Sequence, residues 1–306
     1  MNSSPEIEKV CSISGHHAAI YALCEGWDAD TVISGSGDKY IAQWNILTGQ
    51  QEKFSAILPS PVFSLAYLSE FKQLWVGTAN GHVHVLDIKH KKEIHDFYFH
   101  ERFVYDLTFD KNTNKVYSVA ADGCINIYDP ESLKHLHRQK FSNHKLRSAL
   151  VTEDKIFLAE GSGKSIVLNS NDLTISASFQ SHQFATNCYC IDTKNNRLYS
   201  GGRDAHIKLW AVQNEYELIQ SIPAHNFAIY RLLEIPDSEY IVSASRDKTI
   251  KLWQKDHLTP VSRISKENFN GHTHSVNALI WHRQRNKLIS AGDDRQIIVW
   301  DLSFIK

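Results

Sequence analysis

Seventeen histidines in 306 residues invite a metal or acid–base reading, which their spacing decides. Five of them are not scattered. His16, His100, His182, His225 and His272 each stand 18 residues before a serine, namely Ser34, Ser118, Ser200, Ser243 and Ser290. Four residues further on lies Asp38, Asp122, Asp204, Asp247 or Asp294, and six beyond that Trp44, Tyr128, Trp210, Trp253 or Trp300. A polar group repeated at fixed intervals is more naturally scaffold than reagent. Imidazole, hydroxyl and indole N–H cost roughly 1 to 3 kcal/mol each if buried unpaired, and such a set can satisfy its own members.

The remaining reactive residues organise little chemistry. His82 and His84 point to one side of a strand, but no third metal ligand is in register with them, and a structural or solvent-facing role is expected. In Asp293-Asp294 one carboxylate belongs to the repeated set and the other lies at a turn tip. Gly161 to Lys164, GSGK, reads as a hairpin turn without the helix N-terminus that makes such a loop bind phosphate. There is no GxSxG elbow. The five cysteines include no CxxC pair, and Cys188 and Cys190 share one strand face as small core residues. No catalytic residue, metal ligand or cofactor site is expected.

The elements that must hold these residues are short strands. ISAGDDRQIIVWD, from Ile289 to Asp301, reads as a hairpin: alternating small and apolar residues, an Asp-Asp turn, then a β-branched run ending in tryptophan. Six earlier copies exist. The large residue near the end of each falls at Trp44, Leu86, Tyr128, Leu168, Trp210, Trp253 and Trp300, at intervals of 42, 42, 40, 42, 43 and 47 residues. A period of about 40 to 45 residues without 3.6-residue periodicity marks four-stranded propeller blades rather than a helical solenoid.

With its recurrent His, Ser, Asp and Trp, the chain resembles the WD-repeat family of β-propellers over nearly its whole length. The resemblance implies an all-β fold, a single seven-bladed β-propeller of four-stranded antiparallel blades over residues 1–306. It also implies that the four repeated residues form a buried hydrogen-bonded set. Two copies depart from the pattern. Their slots hold Leu58, Val76, Asn80 and Leu86 in copy two, and Ser142, Leu158, Ser162 and Leu168 in copy four. Replacement of a whole polar set by apolar residues is nearly neutral, so both are expected to remain blades.

Only five residues follow Asp301, too few for a fourth strand. In most copies that strand places an apolar residue three before the histidine (Phe97, Phe179, Ile222, Phe269), and Ile13 stands three before His16. Residues 6–14 are therefore expected to complete the last blade, formed by about 271–304, so that the ring closes without an open edge. From the tryptophan slot to the next histidine slot the distance is 14 or 15 residues, except for 19 after Trp253. The extra residues are expected between Lys255 and Pro260, in a loop on the face opposite the histidine turns.

The family resemblance also places partner contacts on the face where the fourth-to-first and second-to-third connections emerge. Five after the histidine slot lie Tyr21, Phe63, Tyr105, Arg147, Asn187, Tyr230 and Asn277. Four of these seven are aromatic, against 11% of the chain. Phe103 adds a ring nearby, and the turn positions contribute Arg203, Arg246 and Asp293. These residue types anchor interfaces.

The expected function is a non-catalytic scaffold presenting a rigid loop face to a protein or peptide, as a monomeric ring within a larger complex. The alternatives are an enzyme with a channel-mouth active site and a nucleic-acid-associated adaptor. The aromatic, amide and arginine character of the inner positions disfavours the first. A balance of 33 basic and 34 acidic residues disfavours the second. With neither a signal peptide nor a membrane-length apolar run in sight, a cytoplasmic protein is expected.

Overall fold

The computed structural model describes residues 5–303. It contains seven four-stranded antiparallel sheets, each strand pairing with its neighbour in sequence except at one place. We number the sheets as blades one to seven, and their strands a to d from the axis outward. Blades one to six occupy residues 20–57, 62–98, 104–140, 146–180, 186–223 and 229–264. Blade seven is built from Val276–His282, Lys287–Gly292 and Gln296–Ser303, and its fourth strand is Glu6–Ser14. Ile13 pairs with Ile297 and is buried, so the two ends of the ring share a core with Ile20, Val32 and Ile289. The expected closure is what the fold shows.

Strands b and c read as near-continuous apolar runs because they are covered on both faces. Val32, Ile33, Leu74, Val76, Ile156 and Leu288 are fully buried between adjacent blades. Strand d alternates exposed and half-buried residues, as an outermost strand should. The innermost strands contact one another in order around the axis, with the first touching the last.

Each b-to-c hairpin turns at a residue of positive φ just after the aspartate slot: Lys39, Gly81, Gly123, Gly163, Ala205, Lys248 or Arg295. The N–H of that residue bonds back three positions in every case, for example Lys39 to Ser36 and Arg295 to Gly292. Glycine is obligatory where the next connection crowds the turn. At Gly123 an added Cβ would lie 1.9 Å from the Ser142 carbonyl oxygen.

The fold corrects the expected position of the insertion in blade six. The c-to-d loop there has its ordinary length, since strand d, Pro260–Ile264, begins seven residues after Trp253 just as Gln51 begins seven after Trp44. The extra residues instead form a one-turn helix, α1 (Lys266–Phe269), between strand d and His272. It therefore lies on the histidine-turn side. Its start is a Ser265/Asn268 capping box, with the Ser265 N–H donating to Asn268 Oδ1 (2.8 Å), and it ends at Asn270 in the left-handed conformation. Phe269 is accordingly helical. The strand position that it was expected to fill, opposite Ile250, belongs to Ile264.

Candidate partner-binding face

The repeated polar set positions the turns of this face. In blade one, Trp44 Nε1–H donates to Ser34 Oγ (2.7 Å), which meets His16 Nε2 at 2.7 Å, while His16 Nδ1 lies 3.0 Å from Asp38. Asp38 also accepts the N–H groups of His17 and Tyr40. Blades five, six and seven repeat the arrangement. There the Trp210, Trp253 and Trp300 N–H groups donate over 2.9, 2.8 and 2.9 Å, and His182, His225 and His272 lie 2.8, 2.9 and 2.9 Å from their aspartates. In blade three Tyr128 replaces the indole, with its hydroxyl 3.2 Å from Ser118 Oγ, and His100 joins Ser118 to Asp122. The set thus ties the d-to-a connection to the b-to-c turn.

Its protonation is set by its surroundings. Burial holds the imidazoles of His16, His182 and His225 below the ordinary histidine value, despite their aspartate partners. Burial alone would raise the Asp204 carboxyl. The hydrogen bond and attraction of His182, with the N–H groups of Gln183 and His206, outweigh it and hold the carboxyl at about 2. A neutral histidine then donates from Nδ1 to an ionised aspartate and accepts the serine proton at Nε2, so one direction of donation satisfies every member. Both group types bind fewer protons folded than unfolded. Stability is therefore expected to be full above about pH 6.5, and to fall as the unfolded-state histidines gain protons below it. It should fall again from about pH 3.9 downward, where Asp204 alone withdraws about 2 kcal/mol. Thermal melts at pH 7.5, 5.5 and 3.5 would check this, and an unchanged midpoint at pH 5.5 would contradict it.

Blades two and four differ from the expectation of a simple apolar replacement. In blade four, buried Glu160 accepts hydrogen bonds from both Ser142 and Ser162, which occupy the histidine and aspartate slots. In blade two Leu58, Val76 and Leu86 are buried and apolar, but Thr78 donates to Asn80 (2.7 Å). In both cases the compensating residue stands two after the serine slot, outside the four repeated positions.

The seven positions five after the histidine slot come together through a backbone irregularity. In every blade the register between strands a and b shifts around one residue: Tyr21, Phe63, Tyr105, Arg147, Asn187, Tyr230 or Asn277. A bulge leaves its extra residue out of the ladder and re-aims the side chain. Here all seven line one depression at the mouth of the central channel, of about 280 Å³, together with Arg231 and Asp293. Tyr21 stacks on Phe63 with centroids 4.5 Å apart. Phe63 meets Phe103 edge-on at 5.1 Å, and Arg147 lies 4.9 Å over the Tyr105 ring. Burial, then the nearby Asp293 and Tyr230, raise the Tyr21 phenol above its ordinary value, so it stays a neutral donor.

The amides have a different role from the rings. Asn187 is buried and its Nδ2 donates to the Ile229 carbonyl of the next blade (2.8 Å). Asn277 Nδ2 donates to Asp293 Oδ1 (2.7 Å) and, over 3.2 Å, to the Ile20 carbonyl. These two residues lock neighbouring blades and tie down the Asp293 turn tip.

Arg203 and Arg246 lie beside the depression in a second cleft of about 510 Å³ between blades five and six, which Arg147 and Tyr230 also line. Phe184 and Phe227 stand in this cleft 53% and 57% exposed. Both occupy the position two after the histidine slot, and their repetition in adjacent copies was a signal open to sequence reasoning. Below the mouth, Asp106 and Arg231 line a further cavity of the channel wall. Burial pushes the Asp106 carboxyl up against the pull of Arg231. Its oxygens accept from Ser148 Oγ and from the N–H groups of Ala149 and Leu107, so this carboxylate is committed to structure.

A family model described as WD domain, G-beta repeat matches residues 7–45, 91–129, 173–211, 216–254 and 263–301, together more than half of the chain. The chain belongs to the WD40 family. Each matched segment begins in or beside a strand d and runs through strand c of the following blade. The copies outside the match are those of blades two and four, which lack the His-Ser-Asp-aromatic set.

The WD40 chain is similar to several proteins of other kinds. It is 22% identical over 346 residues to Kinesin-like protein KIF21B of Mus musculus, covering 96% of this chain and 19% of that protein. It is 29% identical over 155 residues to Ubiquitin fusion degradation protein 3 homolog of Caenorhabditis elegans, covering 49% and 17%. The chain therefore spans about a fifth of the length of these relatives. The crystal structure of the WD40 beta propeller domain of Doa1 superposes with a TM-score of 0.82 over 97% of both chains at 16% identity, a likeness of fold. Among the described residues of this WD40 propeller, no helix is long and apolar enough to cross a membrane.

Proposed function

We propose that this propeller is a non-catalytic docking platform whose histidine-turn face binds a protein or peptide bearing acidic or carbonyl-rich groups. The observation that carries the reading is the convergence of the seven bulge residues on one depression, with its aromatic arc on one side and the arginine cleft on the other. A WD40 ring is generally a protein-interaction scaffold, which supports the same reading. Arg147 belongs to both cavities, and its buried Nε has no hydrogen-bond partner among the described residues. A ligand carboxylate or carbonyl would satisfy that donor. Closed packing of the sheets gives the loops little freedom to lose, which reduces the ordering cost of association.

Catalysis has less support at the channel mouth. Asp293 is held by Asn277, and Asp106 by three donors, so both carboxylates take part in structural hydrogen bonds. The test is affinity capture from native extract by wild type and by the Tyr105→Ala, Arg147→Ala, Tyr230→Ala triple variant. A protein retained by the first and lost by the folded second supports docking here. Equal retention of every captured protein would refute it. Binding whose affinity drops steeply with added salt and that is abolished by nuclease would support a nucleic-acid partner instead.

A further inference from the structure

Blade two lacks the buried histidine set, yet its outer strands carry a polar cluster of their own. His82 and His84 lie two apart on strand c (His82–Asp87) and share one face. Strand d (Lys92–Tyr98) sets Asp96 directly opposite His84, and a bulge at Val85/Leu86 then brings Glu93 opposite Leu86, on that same face. The third ligand judged missing from the sequence is therefore present, supplied by a strand whose register the local sequence does not reveal. Ligand atoms of His82, His84 and Asp96 lie within 4.8 Å of one another. His82 Nδ1 is 2.8 Å from Asp96 Oδ1, and His84 Nδ1 is 3.6 Å from the same oxygen and 2.7 Å from Glu93 Oε1.

Bonds of about 2.0 to 2.2 Å to a tetrahedral cation place its nitrogen and oxygen ligands roughly 3.3 to 3.5 Å apart. The separations of His82 and His84 from Asp96 bracket that range, so an ion would need the His82–Asp96 pair to open by only about half an ångström. We propose that His82, His84 and Asp96 form a binding site for a zinc-like divalent cation that staples strands c and d of blade two, with Glu93 beside it on His84. Two imidazoles and a carboxylate are a borderline donor set that suits Zn²⁺ better than Ca²⁺ or Mg²⁺. The side chains of His82, Asp96 and Glu93 are 26%, 42% and 44% exposed, which gives the ion a path from solvent. His84, 4% exposed, gives the site a fixed wall.

Affinity is expected to be moderate for a stated reason. A histidine that binds metal through Nδ1 carries its proton on Nε2, and the buried His84 Nε2 has no acceptor among the described residues. Outer-shell partners of this kind are worth about 10- to 100-fold, so a low-micromolar dissociation constant is expected rather than a nanomolar one.

The experiment titrates Zn²⁺, and Co²⁺ as a spectroscopic probe, into the tag-free protein. One equivalent should bind, with visible cobalt absorption characteristic of low coordination number. Thermal midpoints should rise in zinc. His82→Ala and Asp96→Asn, both at partly exposed positions, should each weaken binding at least tenfold and abolish the zinc-dependent rise, while leaving the metal-free midpoint unchanged. Absence of saturable one-to-one binding would overturn the proposal. Equal affinity in wild type and both variants would do so as well, since it would place the ion on other histidines.

Discussion

His225→Ala is expected to destabilise the protein by about 3 to 5 kcal/mol, since it deletes a buried ring that donates to a carboxylate and accepts from a hydroxyl. The substitution leaves the Asp247 carboxylate, 6% exposed, with the N–H groups of Asn226 and Thr249 and the hydroxyl of Thr249 but without the ring N–H that helped to offset its burial. It also removes the acceptor of the Ser243 hydroxyl, on which the Trp253 N–H depends. Calorimetry or circular dichroism should show a midpoint lower by roughly 5 to 10 °C. A loss under 1 kcal/mol would mean that the set is ornamental. Blade two explains why the effect is not simply loss of packing: with Leu58, Val76 and Leu86 in three of the slots nothing is orphaned, and the sheet keeps the same four strands.

The Tyr105→Ala, Arg147→Ala, Tyr230→Ala protein should bind an isolated partner at least 100-fold more weakly, equivalent to about 3 kcal/mol or more, with an unchanged melting midpoint. All three are bulge residues, so their side chains are not needed by the a-to-b ladder and their truncation removes little from the inter-blade core. Arg147 and Tyr105 also act on each other, the guanidinium lying over the ring, so the single substitutions should sum to a different loss from the triple. Affinity measured by calorimetry or interferometry decides it. A triple variant that binds within threefold of wild type would remove this face from the interaction.

The ring was legible in the chain because a propeller writes each blade as one period. Four slot residues at fixed intervals, and Ile13 three before His16, sufficed for the blade count and for closure by Glu6–Ser14. Features that depend on which strand lies beside which were not legible. Asp96 becomes a neighbour of His84 only through the c-to-d register, and Glu93 joins them only through a bulge. Glu160 compensates blade four from a position that is serine, threonine, alanine or glycine in the other copies, so no repeat of the pattern marks it. The extra residues lie in α1 and not, as expected, between Lys255 and Pro260, because a difference in slot spacing reports how many residues are inserted and not where. The seven bulges left only an indirect trace, the enrichment of rings at one slot. Their backbone cause lies in the pairing.

Face-specific photo-crosslinking tests the docking proposal most directly. A photoreactive phenylalanine at Phe103, on the rim of the aromatic arc, is compared with one at Leu47, 49% exposed in a c-to-d loop on the opposite face. The account predicts a discrete protein adduct from position 103 that is competed away by unlabelled wild-type propeller, and none from position 47. A specific adduct formed from position 47, with none from position 103, would contradict it.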